Sequence, residues 1–137
     1  MRTAEEQALR DGLEAIARRD FDEFFRIHEA QARKGSAICQ YHLGWCYQQG
    51  VGCIASAKQA ALWWDKAASQ GDPHAQYALG TCYEHGEGVP REPLAALMWY
   101  SAADEQGFAE AKKAMDRLAS SLEGSTPNTS LERTRER

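Results

Sequence analysis

The sequence predicts an all-α protein built from repeated pairs of helices. Three observations support this fold class. Short motifs recur at a constant offset of 36 residues, apolar side chains follow a helical spacing of three and four, and glycine or proline stands where helices should begin and end. A length of 137 residues suits one domain, and 43% hydrophobic residues suit a folded chain.

The repeat is visible in pairs of residues that return in the same order. Leu43-Gly44 returns as Leu79-Gly80. The same offset relates Cys46-Tyr47 to Cys82-Tyr83, Gly50-x-Gly52 to Gly86-x-Gly88, Trp63-Trp64 to Trp99-Tyr100, and Gln70-Gly71 to Gln106-Gly107. Nine of the 11 glycines lie on this register, and only Gly12 and Gly124 do not. The two copies are assigned to residues 36–71 and 72–107.

Each copy is predicted to contain two helices, A and B. In the second copy helix A begins at Asp72-Pro73, a capping side chain followed by proline at the first helical position. Helix A ends at Gly86, and helix B runs from Glu92-Pro93 to Gly107. In the first copy the predicted caps are Ser36 and Ser56.

Two glycines, Gly44 and Gly80, fall in the middle of the A helices. Glycine there costs about 1 kcal/mol relative to alanine. Because the cost is repeated, we expect a steric reason for it, with helix B crossing close to that backbone.

The flanking segments are predicted to extend the stack. Residues 1–35 are interpreted as a diverged helix pair, opened by the capping box Thr3-x-x-Glu6 and by Asp20-x-x-Glu23. Residues 108–122 form an amphipathic helix with a charged outer face, as expected of a terminal cap. Residues 123–137 have the composition of a flexible tail.

The motifs of residues 36–107 resemble the Sel1-like repeat, a relative of the tetratricopeptide repeat. The likeness rests on the Leu-Gly pair, the Gly-x-Gly turn, the Trp-Tyr pair and the Gln-Gly ending, and residues 20–35 and 108–121 match more loosely. The sequence departs from the pattern at Cys53, Ser56, Glu92 and Asp104. The resemblance implies a right-handed α-solenoid of antiparallel helix pairs that acts as an interaction scaffold, and it does not identify the partner.

If the copies stack as in tetratricopeptide-like repeats, helix-A residues outside the packing stripe line a concave surface. The candidate partner-binding residues are Ile38, Tyr41, Trp45, Gln48, Gln49, His74, Tyr77, Thr81, Glu84, His85, Lys113 and Arg117, with Glu110 beside them. Tyr41, Trp45 and Tyr77 carry the hypothesis, because binding energy concentrates on large aromatic side chains. The alternative is that these rings pack against the flanking helices of the same chain.

The cysteines and histidines raise the question of a metal site. Cys39-x-x-His42-x3-Cys46 places potential zinc ligands on one helix, but positions i and i+7 of a straight helix lie about 10 Å apart. Cys39, Cys46 and Cys82 also occupy small apolar core positions of the repeat, where a free cysteine serves as a buried apolar residue. The sequence therefore predicts no metal, no cofactor, no disulfide and a cytoplasmic location, with Cys53 as the accessible thiol.

Other function classes have little support. The chain lacks Ser-x-x-Lys, Gly-x-Ser-x-Gly, His-Glu-x-x-His and Walker motifs, so no enzyme is predicted, although some relatives have been described as β-lactamase-like. A net charge of −4 disfavours nucleic-acid binding, and no apolar run is long enough for a membrane span.

We therefore expect a non-enzymatic adaptor or regulator that binds a protein partner, as a monomer or weak homo-oligomer. An inhibitor or immunity protein that occludes a toxin or effector is the alternative.

Overall fold

A computed structural model describes residues 2–125, which form seven helices and no strand. The predicted all-α fold is confirmed. The helices are α1 Ala4–Ala17, α2 Phe21–Arg33, α3 Ala37–Gln49, α4 Ala57–Ser69, α5 Pro73–His85, α6 Pro93–Glu105 and α7 Ala109–Ser125. Each helix packs against the next one in the chain. We call α1, α3, α5 and α7 the A helices, and α2, α4 and α6 the B helices.

The helix ends follow the local sequence signals. Thr3 and Glu6 form the predicted reciprocal capping box at the start of α1. The side chain of Ser36 accepts a hydrogen bond from the backbone N–H of Cys39, which satisfies one free donor of α3. Gly50 ends α3 in the left-handed conformation that glycine adopts without steric cost.

The core consists of small side chains where one helix pair meets the next. Ala67 and Ala75 flank the turn between the two copies and are fully buried, as are the equivalent Ala103 and Ala111. Side chains of this size let the helices approach closely. Tyr100 of α6 is the largest fully buried side chain, and it packs in a cluster with residues of α5 and α7.

The mid-helix glycines have the steric role that the sequence predicts. A Cβ atom on Gly80 would lie 2.5 Å from Cε1 of Tyr100, and a Cβ atom on Gly44 would collide with the indole of Trp64. The indole N–H of Trp64 also donates a hydrogen bond of 3.1 Å to the Tyr41 carbonyl. Trp64 of α4 and Tyr100 of α6 therefore each pack an aromatic ring against the glycine backbone of the preceding A helix.

The N-terminal pair uses the same contact, which the offset of 36 conceals. A Cβ atom on Gly12 would lie 2.5 Å from Cε1 of His28, so His28 occupies the place of Trp64 and Tyr100. Only residues 18–20 join α1 to α2, whereas residues 50–56 join α3 to α4. The loop is thus four residues shorter, and the equivalent glycines are separated by 32 residues instead of 36. Gly12 therefore makes the same contact as Gly44 and Gly80, although it does not lie on the offset of 36.

Successive pairs are joined through the loops that follow the A helices. Gly52 lies against the backbone carbonyl of Phe21, and Gly88 lies against the carbonyl of Ala57, each with a positive φ. A side chain at either glycine would collide with the preceding B helix. Glutamine amides add a second connection, since the side chain of Gln106 donates to both Gln76 Oε1 and the Gly71 carbonyl.

Helix α7 continues to Ser125, three residues beyond the predicted boundary at Leu122. It packs on α6 through Ala111, Ala114 and Leu118, as a terminal A helix should. The remainder of the predicted tail, residues 126–137, lies outside the described residues.

Candidate functional site

Three neighbouring cavities follow the A helices. The first, of about 530 Å³, lies between α1, α2 and α3, the second, of about 430 Å³, lies between α3, α5 and α7, and the third, of about 260 Å³, lies between α5 and α7. The first two share Tyr41 and Trp45, and the last two share Tyr77 and Glu110. Together they form one surface, which we call the A-helix groove.

The three aromatic side chains at the centre of the binding hypothesis lie in this groove. Tyr41, Trp45 and Tyr77 are each half-buried, so each ring is partly covered by its own chain and partly exposed. Trp45 stands edge-on to Phe24 with ring centroids 5.9 Å apart, and Tyr77 stands edge-on to Phe108 at 5.3 Å. Contacts of this kind fix the orientation of the rings while one side of each faces the groove.

Most of the remaining candidates also line the groove. Ile38 belongs to the first cavity, Gln48, His74 and Thr81 belong to the second, and Lys113 and Arg117 belong to the third. Two candidates are exposed and line none of these cavities: Gln49, which hydrogen-bonds Gln48, and His85.

Glu84 is placed differently from the sequence-based expectation. It is only 6% exposed and is not available to a partner. Its carboxylate accepts two hydrogen bonds from the Arg117 guanidinium, at 2.6 and 2.9 Å, and one from the Tyr100 hydroxyl at 2.7 Å. Glu84 therefore ties α5 to α6 and α7, and its role is structural.

The network changes the protonation behaviour of its members. Hydrogen bonds from Arg117 hold the pKa of Glu84 below its ordinary value, despite the opposing effect of burial. Burial, together with the bond to Glu84, raises the pKa of Tyr100. The ion pair thus orients Arg117, whose side chain remains more than half exposed at the edge of the third cavity.

The first cavity, which we call the N-terminal pocket, contains residues that the sequence analysis did not identify. These residues are Leu9, Leu13, Ile16, Phe24 and His28. Two of them, Leu9 and Leu13, lie 32 residues before Tyr41 and Trp45. The offset between Gly12 and Gly44 would therefore have identified them from the sequence.

Two histidines form part of the wall of the N-terminal pocket. His28 is 1% exposed, and its ring meets that of His42 edge-on with centroids 4.8 Å apart. Nδ1 of His28 lies 2.9 Å from the Phe24 carbonyl, and because a carbonyl only accepts, this nitrogen carries the proton. Nδ1 of His42 is buried and, within the described part of the chain, is the one buried side-chain nitrogen or oxygen without a hydrogen-bond partner.

Both histidines are neutral at physiological pH. Burial lowers the pKa of His28, although the bond to the Phe24 carbonyl opposes this effect. Burial, with smaller contributions from His28 and His74, lowers the pKa of His42 to about 4. The wall of the pocket therefore carries no charge.

The cysteines are unpaired. Cys39, Cys46 and Cys82 are buried in the core, and burial raises the pKa of both Cys46 and Cys82 to about 12. A thiol of this kind is a poor nucleophile and a poor metal ligand. Over residues 2–125 no group of three or more histidine, cysteine or acidic side chains is placed to hold a metal ion.

None of the helices in the described residues is long and apolar enough to cross a lipid bilayer.

Comparison with known proteins agrees with the repeat geometry. A family model described as Sel1 repeat matches residues 37–72 and 73–108. Proteins with this repeat generally act as protein–protein interaction modules, and the repeat fold is typically non-catalytic. No curated protein matches the chain.

Three solved structures are similar to this chain. A Sel1 repeat protein from Oxalobacter formigenes has 30% identity and a TM-score of 0.74, over 79% of this chain and 44% of that one. The protein c5321 is a protective antigen present in uropathogenic Escherichia coli strains and displays an SLR fold. It has 32% identity and a TM-score of 0.65, over 66% of this chain and 19% of that one. This chain therefore spans less than half of either protein.

The third structure, Helicobacter pylori cysteine rich protein B, has 18% identity and a TM-score of 0.65, over 79% and 92% of the two chains. That likeness concerns the fold alone.

Proposed function

Because the chain belongs to the Sel1 repeat family, we propose that it is a non-enzymatic adaptor or regulator that binds a segment of a partner protein in the A-helix groove. The observation that carries the proposal is the continuity of the groove, in which Tyr41, Trp45 and Tyr77 each present a partly exposed ring. Tyrosine and tryptophan are enriched among the residues that contribute most to binding.

The fixed orientation of these rings favours affinity. Association loses about 0.5–1.5 kcal/mol for each flexible side chain that it immobilises. Trp45 and Tyr77 are already held by Phe24 and Phe108, so little of this cost remains. Gln48, Thr81 and Lys113 supply hydrogen-bonding groups beside them.

The cysteine chemistry supports a reducing compartment such as the cytoplasm. All four cysteines are free, and three of them serve as buried apolar residues. The proposed form of the protein is a monomer or a weak homo-oligomer with its groove open to a protein partner.

Site-specific photocrosslinking in native lysate tests the proposal. A benzoylphenylalanine placed at position 77 should capture one or a few partner proteins, and this capture should fail when Tyr41 and Trp45 are both changed to alanine. The same group at position 98 is the control, because Met98 is 74% exposed on α6 and does not line the groove. Equal capture from positions 77 and 98 would refute binding in the groove.

A further inference from the structure

We infer that the N-terminal pocket is an anchor site that receives one bulky apolar side chain, of leucine to tryptophan size, from the partner segment. This inference rests on the proposed function and specifies the chemistry of its partner. It concerns the end of the groove formed by α1, α2 and α3.

The size and lining of the pocket fit such a side chain. Its volume of about 530 Å³, within the range of about 300–1,000 Å³ that is typical of ligand pockets, leaves room for one such side chain together with the adjoining backbone of the segment. Leu9, Leu13 and Ile16 of α1 face Phe24, Ile38 and Trp45 across it. Leu13 is 72% exposed at the opening, so its apolar surface faces water when the pocket is empty.

The charge of the pocket argues against a charged occupant. Its titratable side chains are His28, His42 and Tyr41, and all three are neutral near pH 7, since burial lowers the pKa of both histidines and raises that of Tyr41. A buried carboxylate or ammonium group would find no opposite charge here and would lose its hydration. An apolar side chain has no such hydration to lose, and it gains the burial of its surface.

The other end of the groove has the opposite character. Glu110, Lys113 and Arg117 line the third cavity, where α7 lies beside α5. We therefore expect a segment that spans the groove to place its bulky apolar residue at the α1 end and polar residues at the α7 end. This asymmetry fixes the direction in which the segment binds.

A peptide library provides a defined probe. Random 12-residue peptides displayed on phage are selected on the full chain, and the affinities of the recovered peptides are measured for three variants. Leu13→Glu places a carboxylate at the opening of the pocket, and Tyr77→Ala alters the middle of the groove. Leu94→Glu is the matched control, since Leu94 is also a leucine that is 72% exposed, but it lies on α6 outside the groove.

We expect the selected peptides to share one large apolar residue at a constant position. Leu13→Glu should weaken their binding about 10- to 100-fold, which is the effect of leaving one such side chain unburied, whereas Leu94→Glu should change it less than about twofold. Circular dichroism establishes that each variant is folded.

Each other outcome is decisive. Binding that is lost in Tyr77→Ala but retained in Leu13→Glu overturns the anchor site and leaves the proposed function intact. A failure to recover any binder that depends on Tyr77 overturns both. If light scattering finds a dimer that Leu13→Glu dissociates, the occupant is a second copy of this chain and the inferred partner is wrong.

Discussion

Acid should destabilise the folded chain in part through His42. Its pKa lies at about 4 in the folded state, compared with 6.5 for a free histidine. Between these values the unfolded chain binds a proton that the folded chain does not bind, so the free energy of unfolding falls as the pH falls through this range. The loss is complete only below pH 4.

The magnitude follows from the two pKa values. One pKa unit corresponds to about 1.4 kcal/mol, so the full effect of His42 is about 3 kcal/mol. At about pH 5 the unfolded histidine is almost fully protonated while the folded one is mostly neutral, and about 2 kcal/mol of stability should already be lost.

Urea denaturation at about pH 7.5, 6 and 5, at constant ionic strength, measures this loss. His42→Phe keeps an aromatic ring but removes the titration, so its stability should decline by about 2 kcal/mol less than that of the wild type between pH 7.5 and 5. Met98→Gln is the control, because Met98 is 74% exposed on α6 and neither residue titrates, so the decline should be unchanged. The reasoning is refuted if wild type and His42→Phe lose equal stability over this interval.

Three further outcomes are expected. Gly80→Ala should lower the free energy of unfolding by about 1–2 kcal/mol, measured by heat or urea, because crowding against Tyr100 outweighs the gain in helix propensity. Gly124→Ala is the control and should not destabilise the chain, since no atom lies near its added methyl group. Arg117→Gln should lower the free energy of unfolding by about 2 kcal/mol at pH 7, and by less once its partner, the buried Glu84 carboxylate, is protonated in acid. Lys113→Gln is the control and should lower it by less than about 0.5 kcal/mol. Equal losses in the two variants would contradict the Glu84 network. Native labelling with a maleimide, followed by mass spectrometry, should modify Cys53 first, and simultaneous labelling of all four thiols would show that the core is open.

The two central copies were predictable because their offset is constant. Gly44 and Gly80 stand 36 residues apart, and each one carries an energetic cost that only a close contact explains. The third instance, Gly12, was not found, because a loop of different length displaces it and because a histidine replaces the expected ring. A search with a fixed period cannot find a contact whose sequence separation varies.

The role of Glu84 was not predictable for a different reason. Its helical position alone indicates an outward-facing acid near the end of α5. Its burial depends on Arg117, which is 33 residues away in the chain, and on the hydroxyl group of Tyr100. No local pattern encodes these partners. The exposure of Tyr41 and Trp45 could not be predicted from the sequence either, because it depends on how far α1 and α2 cover these side chains.

The two classes of glycine have separate consequences for cooperativity. Gly80 governs the packing of a helix within its own pair, whereas Gly88 governs the contact between one pair and the preceding one. In a linear array these are distinct quantities, the intrinsic stability of a unit and the coupling between neighbouring units. A substitution at Gly80 should lower the midpoint of unfolding and keep the transition sharp. A substitution at Gly88 should uncouple neighbouring units, so that the chain unfolds in stages.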